Sequence, residues 1–419
     1  MLMKRCAGYV GSSLLNVCRT ARRGYFAAVV GELGKLEIRE MKQKSPREHE
    51  LLIEVESSGV NPADMRMING TNYLKPNLPF VPGFELAGNV KSVGKKVRGW
   101  KEGDRVAIIK SCGTGAFAEE CIADSNVDII VPLAYSVSYE TAATVSTSYG
   151  TAYLALQRMA KELEGLSLLV LSSRGMVAFA AIDLAHNVFK ANVLAASDSE
   201  EKLEKLRETG VLRTINFTKE NLVDVVKNCT NGHGVDFVVD TVGGKVFEDA
   251  LNCLRPGGEL CSLGFTSGEI PHISVLDLHR TQTCVSGIWL GGHQQQTVEK
   301  VLSMVFKLFE EQFLQARVDS KYSLKDAPKC VDDINNNLNM KNESAKHRKR
   351  IVDGIEELKT AANVFTLLED EYRKAEEIVV CISQSYRLYE GNAIRIVKET
   401  MLSTLRAATR VKWAIVLRR

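Results

Sequence analysis

The sequence has no long apolar run, no C-x-x-C pair and no clustered histidines. A membrane-spanning helix needs about 18 or more consecutive apolar residues, so the sequence predicts no membrane span. The ten cysteines are scattered, which argues against a zinc ribbon and a disulfide framework and indicates a reducing compartment. A catalytic zinc needs about three Cys, His or carboxylate ligands, and the seven histidines show no ligand spacing.

Acidic residues are missing from the start of the chain. Residues 1–31 hold five Lys or Arg and no acid, whereas residues 341–419 carry 16 Lys or Arg against 11 Asp or Glu. Since the whole chain has a net charge of +3, residues 32–340 carry −7. We therefore expect no nucleic-acid binding, because a phosphate backbone requires a basic footprint.

The basic, acid-free and serine-bearing composition of residues 1–25 is typical of a mitochondrial transit peptide. We therefore expect a mitochondrial localisation. A disordered start, or a wrongly chosen initiator methionine, is the alternative interpretation of this segment.

The apolar pattern divides the rest of the chain into four segments. Residues 26–150 show short strands separated by Gly and Pro turns, which predicts a barrel-like β domain. In residues 151–285 apolar strands alternate with helical patterns, which predicts a parallel sheet with right-handed crossovers. Residues 286–340 show a strand, a helix and a further strand, and the family resemblance given below implies that they return to the first domain. Residues 341–419 begin with a basic, linker-like run, beyond which spacings of three and four predict a helical tail of unknown role.

The stretch LVLSSRGMVAFAAIDLA has the pattern of a strand, a tight turn and a helix. A dinucleotide fingerprint needs three small residues there, for the turn, for approach to the pyrophosphate and for helix packing. Here they are Ser173, Gly175 and Ala178, and the helix from about Val177 would offer its N-terminal amides to the anion. Asp198 follows the next strand, where an acid can bind a ribose hydroxyl. We expect a dinucleotide site, with a cofactor-free parallel sheet as the alternative.

Several motifs make residues 26–341 resemble the medium-chain dehydrogenase/reductase superfamily. The resemblance is closest to its zinc-free quinone oxidoreductases, in particular the group of quinone oxidoreductase-like proteins. It implies an α/β fold in which a Rossmann domain, a doubly wound parallel sheet, is inserted in a GroES-like β-barrel domain. The motifs are GVNPADMRMINGTNY, LPFVPGFELAGNV, GWKEGDRV, TSYGTAYLAL, SSRGMVAFAAIDLA, VDTVGG and LRPGGELCSLGF.

The resemblance also implies the catalytic residues. Asn61 would orient the nicotinamide or bind the substrate oxygen, and Tyr73 is the candidate proton donor at the α-carbon. From the residues alone, Asn61 could instead brace its own turn, and Tyr73 could be a plain loop aromatic. Zinc alcohol dehydrogenases of the superfamily carry a histidine where Phe84 stands here, and Phe84 offers no lone pair. We therefore expect no zinc, and hydride addition to a quinone or an enone.

Cofactor contacts are implied by the same resemblance. Lys202 typically meets the 2′-phosphate of NADPH, whereas Asp198 replaces a small residue and would repel that phosphate. Phe217 stands where a tyrosine is common, and Met176 replaces a glycine. We expect NADP(H), with NAD(H) as the alternative because of Asp198. The implied contact residues are Thr151, Ser173, Gly175, Met176, Val177, Asp198, Lys202, Phe217, Gly264 and Phe265.

The sequence therefore predicts a mitochondrial, zinc-independent oxidoreductase that transfers hydride from NADPH to a quinone or an α,β-unsaturated carbonyl. One alternative is a mitochondrial 2-enoyl thioester reductase, because such relatives carry a tyrosine near the position of Tyr73. Another is a cofactor-binding protein with decayed activity, because the glycine loop is thinned. We expect small-molecule substrates, and we expect a homo-oligomer because family members are often dimers or tetramers.

Overall fold

The computed structural model describes residues 24–158, 165–172, 176–207, 209–318, 320–339 and 379–382. Within these residues the chain forms an antiparallel β-barrel domain and a parallel-sheet domain. None of the helices in the described part has the length and apolar character that a membrane span requires.

The first domain is built from antiparallel strands, as the sequence predicts. The third strand, β3 (Glu50–Val60), pairs with the fourth and the sixth strand. The fourth strand pairs with the fifth, and the fifth pairs with the seventh. The first two strands pair with each other. Alternation along β3 buries Leu51, Ile53 and Val55 in the barrel core. The elements are β1 (Gly24–Glu32), β2 (Lys35–Lys42), β3 (Glu50–Val60), α1 (Pro62–Ile68), β4 (Glu85–Val93), β5 (Arg105–Ile109), β6 (Glu120–Asp124), β7 (Ile129–Pro132) and α2 (Tyr139–Gln157).

The second domain alternates strands and helices. Its elements are β8 (Ser167–Ser172), α3 (Met176–Asp183), β9 (Asn192–Ser197), α4 (Glu200–Arg207), β10 (Arg213–Asn216), α5 (Leu222–Cys229), β11 (Val235–Asp240), α6 (Lys245–Asn252), β12 (Leu254–Ser262), α7 (Val275–Thr281), β13 (Cys284–Gly287) and α8 (Gln295–Glu310). A π-helical turn, Leu184–Val188, continues α3.

The six strands of this domain form one parallel sheet in the order β10-β9-β8-β11-β12-β13. Counted along the chain, this is the order 3-2-1-4-5-6 of a doubly wound dinucleotide-binding sheet. In β8, Leu168 and Val170 pack into one core and Leu169 and Leu171 into another, so both faces are covered. The predicted α/β fold is confirmed, although β13 runs to Gly287, past the predicted domain end at residue 285.

The chain then returns to the barrel through β14 (Ser320–Ser323), α9 (Ala327–Asn339) and β15 (Val379–Ile382). Strand β15 pairs antiparallel with β14 and parallel with β3, so it lies between them in the barrel sheet. The expectation of a helical tail is wrong at these four residues. The run Val-Val-Cys-Ile is rich in β-branched residues, which favours a strand next to the open edge of β3. Residues 340–378 and 383–419 lie outside the described residues.

The predicted transit peptide lies almost entirely outside the described residues, which begin at Gly24. Strand β1 starts at that residue, and Tyr25 is buried in a small cluster with Ala27 and Val29. The predicted boundary after residue 25 therefore falls inside β1.

Helix α2 connects the two domains. It is buried on nearly all sides, which is typical of a helix within a core. It packs against β3 and β4 of the barrel and against α3 and α8 of the parallel-sheet domain. At its start, Ser138 caps the helix by accepting a hydrogen bond from the backbone N of Thr141 at 3.1 Å.

Candidate active site

The predicted cofactor residues gather at one edge of the parallel sheet. Except for Thr151, each one that the structure describes follows the carboxyl end of a strand. In doubly wound sheets this edge opens into a crevice where the strand order reverses, here between β8 and β11. The residues at the edge are Met176 and Val177 after β8, Asp198 and Lys202 after β9, Phe217 after β10, and Gly264 and Phe265 after β12. Ser173 and Gly175 lie outside the described residues.

One side-chain hydrogen bond joins the ends of β8 and β11, and others shape the turn after β11. The hydroxyl of Thr241 donates to the Leu171 carbonyl at 2.9 Å. Asp240 folds the following turn by accepting from the backbone N–H groups of Val242, at 2.8 Å, and Gly243, at 3.1 Å. Burial raises the pKa of Asp240 to about 6. The VDTVGG motif therefore shapes the crevice at the point where the strand order reverses.

Asp198 and Lys202 contact each other. The Lys202 Nζ lies 3.6 Å from Asp198 Oδ1, one helical turn apart, and both side chains are partly buried. The positive charge expected to meet a 2′-phosphate is therefore shared with a carboxylate of this chain.

The segment after β12 presents open backbone and an aromatic ring. The nearest atom to a Cβ placed on Gly264 would be the Thr241 carbonyl oxygen at 3.8 Å, so this position has room around it. Phe265 is largely exposed beside it. Thr266 anchors the segment, because its hydroxyl donates to the same Thr241 oxygen at 2.9 Å.

An aromatic pair spans the two domains. Tyr73 lies in the loop between α1 and β4, and Trp289 follows the end of β13. Their ring centroids are 5.6 Å apart at 86°, an edge-to-face arrangement, although the residues remain 67% and 60% exposed. Tyr73 was predicted from the sequence, but Trp289 was not. The sequence marks Trp289 only by its position shortly after a strand.

Asn61 is held at its backbone and at its side chain. It is the N-cap of α1 and forms a capping box with Asp64, whose carboxylate accepts from the Asn61 backbone N at 2.7 Å. Its Nδ2 donates to Glu85 Oε1 at 2.6 Å. Asn61 thus braces its turn, and it is also tied to a buried carboxylate that sequence reasoning did not single out for this role.

Glu85 is the first residue of β4 and is 1% exposed. Its second oxygen, Oε2, accepts from the backbone N of Thr147, in the middle of α2, at 2.8 Å. A Cβ on Gly59 would lie 2.6 Å from Glu85 Oε1 and would collide with the Ala143 carbonyl oxygen. Glycine at this position of β3 therefore makes room for the carboxylate against the helix.

Burial changes the ionisation of two neighbouring carboxyls. Desolvation raises the pKa of Glu85 to about 7 and holds the pKa of Asp64 well above its usual range. The charge of Glu85 also raises the pKa of Asp64. Groups with pKa values perturbed in this way are candidates for a functional region.

Two further residues singled out from the sequence, Thr151 and Phe84, make contacts within the protein core. Thr151 is a buried residue of α2, and its hydroxyl donates to the Thr147 carbonyl at 2.7 Å within the helix. The Phe84 ring packs directly over Gly113, whose φ is +68°. In the part of the chain that the structure describes, no group of three or more His, Cys, Asp or Glu residues is placed to hold a metal ion.

Comparison with known proteins places this geometry in a family. The family model described as an alcohol dehydrogenase GroES-like domain matches residues 47–135, and the one described as a zinc-binding dehydrogenase matches residues 177–307, from α3 into α8.

The chain is 38% identical over 294 residues to a quinone oxidoreductase-like protein 2 homolog of Nematostella vectensis, covering 70% of this chain and 79% of that protein. It is 33% identical over 318 residues to the quinone oxidoreductase-like protein 2 of Bos taurus, covering 74% and 90%.

Solved structures agree. A quinone oxidoreductase of Pseudomonas syringae aligns with a TM-score of 0.66 and 26% identity, over 74% of this chain and 95% of that one. The Escherichia coli quinone oxidoreductase complexed with NADPH aligns with a TM-score of 0.64, 26% identity and the same coverage. The chain therefore belongs to the medium-chain dehydrogenase/reductase superfamily of oxidoreductases, in its quinone oxidoreductase-like group. The resemblance predicted from the sequence motifs is confirmed.

Replacing Glu85 by Gln should change how stability depends on pH. Burial raises the pKa from its ordinary 4.5 to about 7, so the folded protein binds this proton more tightly than the unfolded chain. The linked stability is fully present below about pH 4.5 and is lost as the pH rises through 7. Between about pH 5 and pH 8, the free energy of unfolding of the wild type should fall relative to Glu85→Gln by about 2 kcal/mol. Urea unfolding at each pH measures this, and parallel curves for the two proteins would contradict it.

Proposed function

We propose that this protein transfers a hydride from NADPH to a quinone or an α,β-unsaturated carbonyl, without zinc. The observation that carries the proposal is the gathering of the predicted cofactor residues at the carboxyl edge of a sheet in the order 3-2-1-4-5-6. The NADPH bound to the Escherichia coli neighbour supports the choice of cofactor.

The residues at the crevice fit a dinucleotide. The N-terminus of α3 follows β8 closely and would face the pyrophosphate. Lys202 supplies a cation for a 2′-phosphate, and the open backbone at Gly264 leaves room for a flat ring beside Phe265. When bound, the reduced nicotinamide would supply the hydride.

On the barrel side, Asn61 and Tyr73 would handle the substrate. For an enone, the hydride would add to the β-carbon and bring the two electrons that reduce the C=C bond, while Tyr73 would give a proton to the α-carbon. For a quinone, the hydride would go to one carbonyl oxygen and the proton from Tyr73 to the other, which gives the hydroquinone. Partial burial raises the pKa of Tyr73, so the phenol keeps its proton at neutral pH and can donate it. Trp289, packed edge-to-face against Tyr73, would hold the phenol ring in place at this end of the cleft.

Gly175→Leu should abolish NADPH binding while leaving the fold intact. Strand β8 ends at Ser172 and α3 begins at Met176, and the sequence predicts the phosphate loop between them, where a large side chain would occupy the approach to the pyrophosphate. Calorimetry with NADPH measures binding, and Gly175→Ala serves as the smaller control. Wild-type affinity in Gly175→Leu would show that the predicted loop is not the site.

The same preparation tests the reaction, with NADPH oxidation followed in the presence of 1,4-benzoquinone or crotonyl-coenzyme A. Turnover with the quinone supports the proposal. Turnover with the thioester alone would instead support a 2-enoyl thioester reductase. Binding without any turnover would support a cofactor-binding protein with decayed activity.

Asp198→Ser should shift the preference toward NADPH. The substitution removes a carboxylate 3.6 Å from the Lys202 ammonium, so that this carboxylate no longer competes with a 2′-phosphate for the cation or repels the phosphate. A tenfold shift requires only about 1.4 kcal/mol, and a charge contact at this distance supplies at least that in a partly screened site. Titration of both variants, Asp198→Ser and Lys202→Ala, with NADH and NADPH measures the ratio. We expect opposite shifts, and an unchanged ratio in Asp198→Ser would contradict the assignment.

We also propose that the basic start of the chain directs the protein to mitochondria. Deleting residues 1–23 leaves β1 complete, because the strand begins at Gly24. The truncated protein should remain folded and active but should no longer enter mitochondria, as judged by fractionation or by a fluorescent fusion. Undiminished import of the truncated chain would contradict the proposal.

We further propose that the protein is a homo-oligomer that pairs through β13. This strand is one of the two edges of the parallel sheet within the described residues, the other being β10, and unpaired edges invite pairing with another chain. Exposed apolar side chains lie on the segment that leads into it: Ile270, Ile273, Val275 and Leu276. Sedimentation should show a dimer or larger species, and Leu276→Glu should dissociate it. A monomeric wild type would contradict the proposal.

A further inference from the structure

We propose that Glu85 is a positioning residue that fixes the orientation of the Asn61 side-chain amide, so that Asn61 offers an N–H group rather than its oxygen to the ligand in the cleft. The inference rests on the proposed function only in assuming that a ligand meets Asn61.

Both oxygens of Glu85 already accept a hydrogen bond. Oε1 accepts from Asn61 Nδ2 at 2.6 Å, and Oε2 accepts from the backbone N of Thr147 at 2.8 Å. The Thr147 donor belongs to the backbone of α2 and cannot turn away. The carboxylate is therefore fixed by the helix before it acts on Asn61.

An ionised carboxylate only accepts hydrogen bonds, so the nitrogen of the Asn61 amide must face it. The backbone of Asn61 cannot adjust freely, because it donates to Asp64 at the start of α1. One Nδ2 hydrogen of Asn61 is donated to Glu85. The second hydrogen remains for donation to a ligand. A carbonyl oxygen would accept it, either on the carboxamide of the cofactor or on a quinone or enone.

The orientation of the Asn61 amide depends on the charge of Glu85, because few charged groups surround that carboxyl. Its partners across the sheet are Gly59 on β3 and Ile109 on β5, which carry no charge. On α1 the titratable neighbour is Asp64, which faces the buried thiol of Cys330 on α9. Burial of Glu85 raises its pKa into the neutral range, so loss of its charge below neutral pH would release the amide.

Glutamine at this position would reverse the amide. A carboxamide has one accepting oxygen and one donating NH₂ group, but the Asn61 Nδ2, the Thr147 backbone N and the Thr147 hydroxyl all face residue 85. Since the Thr147 N–H is fixed, the glutamine oxygen would face it, where it can also accept from the Thr147 hydroxyl, and the glutamine NH₂ group would face Asn61. Asn61 could then satisfy it only by turning its own oxygen inward.

The first measurement needs no ligand. In cofactor-free protein labelled with ¹⁵N-asparagine, the Asn61 side-chain signal is identified by its loss in Asn61→Ala. We expect one of its protons to lie downfield at pH 8 and to move upfield as the pH falls to 6. In Glu85→Gln the signal should lie upfield throughout and should not titrate. The control Asp64→Asn should keep the downfield proton and its titration. A pH-independent wild-type signal, or the same titration in Glu85→Gln, would overturn the proposal.

The second measurement follows NADPH oxidation with 1,4-benzoquinone. Glu85→Gln should lower kcat at pH 8 by about tenfold, the cost of one lost hydrogen bond, with a smaller change in KM for NADPH. The wild-type kcat should rise with pH between 6 and 8, and that rise should be absent in Glu85→Gln. In an Asn61→Ala background, Glu85→Gln should have less than about a twofold further effect. Independent, multiplying losses would overturn the proposal.

A reciprocal exchange separates positioning from a merely structural role. In the double variant Asn61→Asp with Glu85→Gln, the glutamine NH₂ can donate to the introduced carboxylate, so thermal stability should return toward the wild type. The exchange leaves no N–H for the ligand, so kcat should stay low; a restored kcat would overturn the proposal. If the wild type does not oxidise NADPH with the quinone, the proposed function fails, while the asparagine signal still decides the orientation of the amide.

Discussion

The two hydrogen bonds accepted by the buried carboxylate of Glu85 are the interaction through which the barrel holds both Asn61 and helix α2. A carboxylate with 1% exposure is tolerated only because each of its oxygens accepts a hydrogen bond. Those two bonds join the start of α1 to the middle of α2. The barrel strand that carries Glu85 can come this close to the helix because Gly59 has no side chain. The position of Asn61 is thereby set by the core and not by the surface loop.

The connection continues into the parallel-sheet domain. Tyr149, one of the largest buried side chains of α2, donates from its hydroxyl to Asp183 at 2.6 Å. Asn187, in the π-helical turn, donates to the same carboxylate at 2.7 Å. Asp183 ends α3, the helix that follows the predicted phosphate loop. A short series of buried hydrogen bonds therefore runs from the predicted substrate side of the cleft, through α2, to the helix on the predicted cofactor side.

The fold followed from the sequence more completely than the site did. Apolar runs separated by helical periods predicted the parallel sheet of residues 151–285, because both periods are properties of local sequence. The proposed role of Glu85 was not predicted, because its two hydrogen-bond donors, Asn61 and Thr147, come together only when β4 packs against α2. Trp289 escaped because nothing in its neighbourhood predicts contact with a loop more than 200 residues earlier. The strand β15 was missed because its partners, β3 and β14, are distant in sequence.

The aromatic contact between Tyr73 and Trp289 also bears on how molecules enter and leave. An edge-to-face pair is worth about 0.5–1.5 kcal/mol, and both rings here keep more than half of their surface in water. Such an energy corresponds to a population ratio of no more than about tenfold between the joined and separated rings. Separated rings are therefore present at all times in a noticeable fraction of molecules. In the proposed reaction, exchange of ligands past this pair would need only this thermally accessible separation, and no part of either core would have to unfold.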